Sequence, residues 1–146
     1  MVPLALSIGI LAGIWTFVSG NVQILTWPAF VGWALFFAAG GDNDSVKKAL
    51  APGLLGMVLG LAVVKGAAII PGAWFVAVGV TIIAIIMVLV MPVKLFSFTP
   101  AAFAGCAVYF GANGDIVAAV VPFALGILLG WVSAVLPKLV KKPDLE

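Results

Sequence analysis

The chain is a succession of long apolar stretches separated by short polar clusters. Residues 1–41, 66–93, 95–114 and 116–137 contain no charged side chain. The apolar residues are continuous and do not alternate with polar ones, which favours membrane helices over a membrane barrel. If the polar clusters are turns, the sequence predicts six membrane spans, near residues 3–20, 26–41, 48–64, 71–91, 97–113 and 116–136.

One segment of the chain occurs twice. Residues 26–42 (TWPAFVGWALFFAAGGD) and 99–115 (TPAAFAGCAVYFGANGD) align without gaps and are identical at nine of 17 positions. A second pair of motifs follows, because residues 52–60 and 122–130 both read P-x-x-x-G-x-x-x-G. Each half thus has three predicted spans, of which the second and third carry the shared motifs and the first shows little identity. Two halves with an odd number of spans must insert in opposite orientations.

The predicted fold is therefore an all-α membrane protein with six transmembrane helices arranged as a 3+3 inverted repeat. We assign residues 1–146 to one integral membrane domain, with the first repeat in residues 1–66 and the second in residues 67–142. Composition agrees with this class: 65% of the residues are hydrophobic and 8% are charged, whereas a soluble domain carries about 25% charged residues.

Lysine positions predict the orientation. With six spans, both termini and the loops after the second and fourth spans face one side of the membrane. Six of the seven basic residues lie in these segments, and only Lys65 lies on the other side. Cytoplasmic loops are enriched in lysine, so we expect cytoplasmic N- and C-termini, and we expect Lys47 and Lys48 to contact anionic lipid. The six residues are Lys47, Lys48, Lys94, Lys138, Lys141 and Lys142.

Composition also argues against several kinds of chemistry. The chain has no histidine and one cysteine, Cys106, so an intrachain disulfide and a cysteine metal cluster are excluded. We predict no enzymatic activity, no cofactor and no metal site. No predicted span carries a charge at mid-membrane, which disfavours ion-coupled transport. The net charge of +2 is too small and scattered to indicate nucleic-acid binding.

The second and fifth predicted spans are short. From Thr26 to Gly41 the helix would measure roughly 24 Å, less than a hydrocarbon core of about 30 Å. Short segments with glycine at matching positions of two halves indicate a transport site; the alternative is a short span in a locally thinned bilayer. The predicted substrate or pore-lining residues are Thr26, Phe30, Gly32, Trp33, Phe37, Thr99, Phe103, Gly105, Tyr109 and Phe110.

Each of these residue types also has a purely structural interpretation. The two threonines are suited to capping helices, and the aromatic residues to packing in lipid or at its interfaces. Asp42 and Asp115 are predicted at the pore mouths, with ordinary solvated turns as the alternative. The glycine pairs four positions apart are predicted to pack helices closely. These are Gly9 with Gly13, Gly56 with Gly60, and Gly126 with Gly130.

Four short motifs point to a known family. They are Gly13-Ile14-Trp15, Phe30-x-Gly32, Ser97-Phe98-x-Pro100 and Gly114-Asp115, spread over nearly the whole chain. In these motifs the chain resembles the YcdZ-like family of bacterial inner-membrane proteins, whose function is unknown. The resemblance implies a small multi-pass protein of the bacterial cytoplasmic (inner) membrane. It implies no particular substrate.

From these features we expect a channel or facilitator for a small uncharged solute, such as a urea-like amide, a small neutral acid or a short polyol. The solute would pass through each subunit between the two repeats, with aromatic rings excluding hydrated ions and with hydroxyls and backbone carbonyls replacing water. By fold-level analogy, the partners are the lipid bilayer, the solute and further copies of the chain in a homo-oligomer. The alternatives are a secondary transporter of a small metabolite or ion that works by alternating access, an ion channel, and a non-transporting accessory protein.

Overall fold

The computed structural model describes residues 1–140; Lys141 and Lys142, which the orientation prediction uses, lie outside them. The described chain is all-helical, as expected, with six α-helices and one 3₁₀ turn. The helices are α1 (Val2–Asn21), α2 (Trp27–Ala38), α3 (Asn43–Ile69), α4 (Ala73–Leu89), α5 (Thr99–Gly111) and α6 (Ile116–Val140), and the 3₁₀ turn spans Lys94–Phe96.

Three of the helices in this part of the chain, α1, α3 and α6, are long and apolar enough to cross a membrane. The third helix begins earlier than the sequence predicted, because residues 43–45 form its first turn instead of a loop. Asp42 accepts a hydrogen bond from the Ser45 backbone N–H (2.8 Å), and the Asp42 N–H donates to the Ser45 hydroxyl (3.2 Å). This reciprocal cap satisfies two of the free donors at the start of a helix.

The second and fifth helices are shorter than predicted. With 12 and 13 residues, they measure roughly 18 and 20 Å. Each ends in a turn with left-handed backbone, at Gly40 and Gly41 after α2 and at Asn113 and Gly114 after α5. Such conformations cost little for glycine and asparagine and stop a helix. Neither helix alone reaches across a hydrocarbon core of about 30 Å.

The helices of the two halves are interleaved. The short helix α2 packs along α6, and the short helix α5 packs along α3. Helices α3 and α6 also touch and run antiparallel: Phe123 lies against Gly53, and the Trp131 indole N–H donates to the Asn43 side-chain oxygen (2.8 Å). Helices α1 and α4 pack on the outside, against α6 and α3 respectively.

Glycines bring the interleaved backbones together. A methyl group added at Gly56 would overlap the carbonyl oxygen of Ala102, and one added at Gly126 would overlap the carbonyl oxygen of Ala29. These two contacts occupy equivalent sequence positions in the two halves. A side chain at either glycine would force the helices apart, so only glycine permits this spacing.

Candidate functional site

The ten residues predicted to line a pore divide between two faces of the short helices. Gly32, Trp33, Gly105 and Tyr109 are buried, whereas Phe37, Thr26 and Thr99 are half-buried. Phe30 and Phe103 point outward with 40% and 45% of their surface exposed, and Phe110 is similarly exposed. These three phenylalanines therefore lie on the outer face of the protein, in a position to contact lipid.

Gly32 and Gly105 lie where α2 and α5 cross the long helices. A methyl group at Gly32 would overlap the carbonyl oxygen of Phe123, and one at Gly105 would overlap the carbonyl oxygen of Gly53. Both positions are filled by backbone from the opposite half. In this conformation they serve close packing and leave no space for a solute beside them.

The two threonines differ in their hydrogen bonds. The Thr26 hydroxyl lies 2.7 Å from the Ser19 hydroxyl. The backbone carbonyl of Thr26 accepts a hydrogen bond from the Trp15 indole N–H (3.0 Å). The Thr99 hydroxyl is buried and has no partner among the described residues. Neither side chain forms the helix-capping hydrogen bond that its position allowed. Thr26 instead ties the start of α2 to the end of α1.

The centre of the molecule is a closed aromatic and aliphatic cluster. Phe36, Tyr109 and Phe123 each have 0% of their surface exposed and belong to one cluster with Leu35 and Val108. No water-filled space therefore lies against these three side chains in this conformation.

Phe123 is at the middle of this cluster. Two carbon atoms of its ring lie 2.6 Å from the place that a Gly53 side chain would occupy, so the ring fills space that this glycine leaves open. Sequence reasoning missed Phe123 and Phe36. A signal for Phe123 was present in the sequence. When the P-x-x-x-G-x-x-x-G motifs of α3 and α6 are aligned, Phe123 occupies the position of Gly53.

Two polar arrangements are buried near the long helices. The Trp33 indole N–H donates to the buried Ser133 hydroxyl (3.2 Å), which donates to the Gly130 carbonyl (2.7 Å). The Tyr109 hydroxyl is buried without a partner in the described chain, close to Gly114. Ser133 was also missed by sequence reasoning, since a single serine in an apolar helix gives no pattern.

Asp42 and Asp115 both cap helices at the surface. Asp115 accepts hydrogen bonds from the backbone N–H groups of Val117 (2.9 Å) and Ala118 (3.0 Å). Hydrogen bonds from the Ser45 side chain and backbone hold the pKa of Asp42 below its ordinary value of 3.8. Both carboxylates are exposed, and a role at a pore mouth stays a prediction. Within residues 1–140, no cluster of three potential metal ligands occurs.

Comparison with known proteins places the chain in a family. The family model described as "Protein of unknown function (DUF1097)" matches residues 5–138. The chain belongs to this family. It is 29% identical over 133 residues to the inner membrane protein YcdZ of Escherichia coli (strain K12), covering 90% of this chain and 82% of the relative.

A second family member gives the same result. The inner membrane protein YcdZ of Salmonella typhimurium (strain LT2) is 31% identical over 134 residues, which cover 90% of this chain and 83% of the relative. No solved structure matches the chain. The YcdZ-like resemblance inferred from the short motifs is thereby confirmed.

Proposed function

We propose that this protein is a passive facilitator for a small uncharged solute in the bacterial inner membrane, with both termini cytoplasmic. The observation that carries the proposal is the pair of short helices, α2 and α5, each of which packs along the long helix of the opposite half. Helices that stop short of the bilayer thickness, at matching positions of two halves, are typical of transport sites.

The proposal treats the two halves as an inverted repeat of three spans each. Its support is the pairing of contacts: Gly56 with Ala102 repeats Gly126 with Ala29 at equivalent positions, and α3 runs antiparallel to α6. The α3 helix also carries Lys48 and Lys65 with no charge between them. The two lysines are 17 positions apart, which is roughly 26 Å along a helix and close to a hydrocarbon thickness.

The lysine distribution supports cytoplasmic termini. The start of α1 lies beside the end of α6, with Pro3 and Ser7 near Leu136 and Pro137. Trp131 of α6 is hydrogen-bonded to Asn43, the first residue of α3. Because α6 continues past Trp131, its C-terminal end lies beyond the start of α3, on the same side as Lys47 and Lys48. Lysine-rich ends of membrane proteins face the cytoplasm.

In this mechanism, Phe123 closes the route between the halves. The ring lies at the contact between α3 and α6, where it fills the space left by the missing side chain of Gly53. The buried hydroxyls of Thr99, at the start of α5, and Tyr109, towards its end, lack partners among the described residues and suit a small hydrogen-bonding solute that passes once the ring moves. Selection would come from the apolar surroundings, since a hydrated ion finds no compensating charge there.

The closed centre also favours a second candidate, a secondary transporter that alternates between its halves. The buried cluster of Phe36, Tyr109 and Phe123 closes the route from both sides, as an occluded state requires. The two candidates differ in kinetics. Facilitated flux rises with concentration without ready saturation, whereas alternating access saturates and responds to a gradient or a counter-substrate.

The decisive experiment is stopped-flow light scattering on proteoliposomes with urea-like amides, neutral short-chain acids and short polyols. A Gly32→Trp block is unsuitable, because the contact with the Phe123 carbonyl makes it a folding test. The informative variant is Phe123→Leu, and the matched control is Phe30→Leu on the exposed face. We expect permeation of one solute class above empty liposomes, faster in Phe123→Leu and unchanged in Phe30→Leu.

Two outcomes would contradict the proposal. Permeation equal to that of empty liposomes, for the wild type and for Phe123→Leu, would leave an accessory role as the better interpretation. Saturable flux that depends on an ion gradient would favour the transporter. Size-exclusion profiles of each variant establish that the protein is folded before reconstitution.

A further inference from the structure

A basic groove lies at the lysine-rich end of the protomer, away from the buried cluster. It has a volume of about 510 Å³ and is lined by Asp44, Lys47, Lys48, Lys94, Leu95 and Ser97. The first three belong to the start of α3, and the last three lie in or directly after the 3₁₀ turn before α5. Two segments that are distant in sequence therefore place three lysines around one space.

The charge of this groove is not a requirement of the fold. By the equivalence of Pro52 with Pro122, Lys47 and Lys48 correspond to Val117 and Ala118 in the second half. The same backbone arrangement at the start of α6 therefore carries no lysine. The three lysines are a feature of one end only, so an account based on packing does not explain them.

The groove opens beside apolar surface. Leu95 and Val93 are half-exposed next to it, and Met91 and Leu89 continue the exposed apolar surface onto the end of α4. A ligand with an anionic head and apolar chains fits this arrangement, because its phosphate can lie among the lysines while its chains follow α4. The volume equals roughly 17 waters at about 30 Å³ each, enough for a phosphoglycerol headgroup.

We propose that this groove binds the headgroup of an acidic phospholipid that also carries hydroxyl groups, with phosphatidylglycerol as the representative. Lys47, Lys48 and Lys94 contact the phosphate. The Asp44 carboxylate, which would repel a bare phosphate, accepts hydrogen bonds from the headgroup hydroxyls. Ser97 lies beside Lys94, donating a hydrogen bond to its carbonyl (3.0 Å), and its hydroxyl oxygen remains able to accept one.

The test is native mass spectrometry of the purified protein with phosphatidylglycerol, phosphatidylcholine, glycerol phosphate and inorganic phosphate added separately. The variant replaces Lys47, Lys48 and Lys94 by glutamine. The control replaces Lys65 and Lys138 by glutamine. Both lysines lie outside the groove, and Lys138 is near the same end of the protein. With about 1 kcal/mol per lysine, or roughly fivefold in affinity, we expect about 100-fold weaker phosphatidylglycerol binding in the triple variant. The control should bind like the wild type.

Asp44→Ala separates the proposed site from general attraction to a positive surface. A general attraction strengthens for every anionic lipid when an acidic residue is removed. The proposed contact instead predicts weaker binding of phosphatidylglycerol relative to phosphatidic acid, which lacks the glycerol hydroxyls.

Three results would overturn the proposal. Equal losses of phosphatidylglycerol affinity in the triple variant and the control would show nonspecific electrostatic attraction. Phosphatidylcholine binding as tight as that of phosphatidylglycerol would show that the groove does not select the headgroup. Glycerol phosphate or inorganic phosphate binding as tightly as the lipid would assign the groove to a soluble phosphate. Melting temperatures of the variants, all at exposed positions, serve as the folding control.

Discussion

The closest helix contacts make a quantitative prediction about Gly56→Ala and Gly126→Ala. A methyl group at Gly56 would overlap the Ala102 carbonyl oxygen and lie 2.8 Å from the carbonyl carbon, and a methyl group at Gly126 would meet the Ala29 backbone in the same way. Backbone atoms cannot rotate away as a side chain can, so each substitution must separate two helices along their main contact.

Overpacking of this kind costs typically 1–3 kcal/mol and occasionally more, and we expect about 3 kcal/mol because the obstacle is backbone. At about 2–4 °C per kcal/mol for a chain of this size, the melting temperature falls by roughly 6–12 °C. Because the two contacts are at equivalent positions, both variants should fall by similar amounts. The measurement is thermal unfolding of the detergent-solubilised protein, followed by tryptophan fluorescence.

The control lies in the same chain. The predicted packing pair Gly9 and Gly13 contacts no helix within the described chain, because a methyl group added at either position of α1 has no atom within 4 Å. Gly9→Ala and Gly13→Ala therefore serve as controls. Their melting temperatures should stay unchanged or rise slightly, since alanine favours a helix. If Gly56→Ala and Gly126→Ala have the same melting temperatures as these controls, the interleaved packing is refuted. If only one of the two variants is destabilised, the halves are not equivalent.

Two further predictions concern hydrogen bonds. Ser133→Ala leaves the buried Trp33 indole N–H without its partner, at a cost of about 1–3 kcal/mol; the melting temperature should fall, whereas Ser7→Ala, at a buried hydroxyl without a partner in the described chain, should not lower it. The lowered pKa of Asp42 means that its cap contributes stability above the ordinary pKa of 3.8 and loses it as the pH falls through the lower, folded-state pKa. The gap in melting temperature between wild type and Asp42→Asn should therefore narrow in acid, and a gap that does not change with pH would contradict the assignment.

The sequence was sufficient for the helical class, because charge-free stretches of this length admit few other structures. It also identified Gly56 and Gly126 as packing residues, since small residues at helical spacing in an apolar segment have one common use. It placed the ends of α2 and α3 poorly. The cluster at residues 40–45 contains both a left-handed turn and a capping box, and composition alone does not tell where one ends and the other begins.

The candidate site was harder to predict for a physical reason. Aromatic residues in an apolar chain satisfy lipid, packing and pore-lining roles equally well, so Phe30 and Tyr109 had the same signal although one is exposed and the other is buried. The direction of each side chain depends on which helices cross, and this is a tertiary property. Phe123 shows both sides: its alignment with Gly53 was visible in the sequence, whereas the contact between its ring and Gly53 of another helix was not.

Tyr109→Phe separates a structural from a functional role for the buried hydroxyl. The equivalent position in the first half is Phe36, which is just as buried, so the fold accepts a phenylalanine there. A buried hydroxyl without a partner costs about 1–3 kcal/mol, so its removal should leave the melting temperature unchanged or raise it by several degrees. If the hydroxyl serves a passing solute, Tyr109→Phe should at the same time slow permeation in proteoliposomes. A variant that is less stable than the wild type would show that the hydroxyl has a bonded partner in the folded protein, which would remove it from the proposed route.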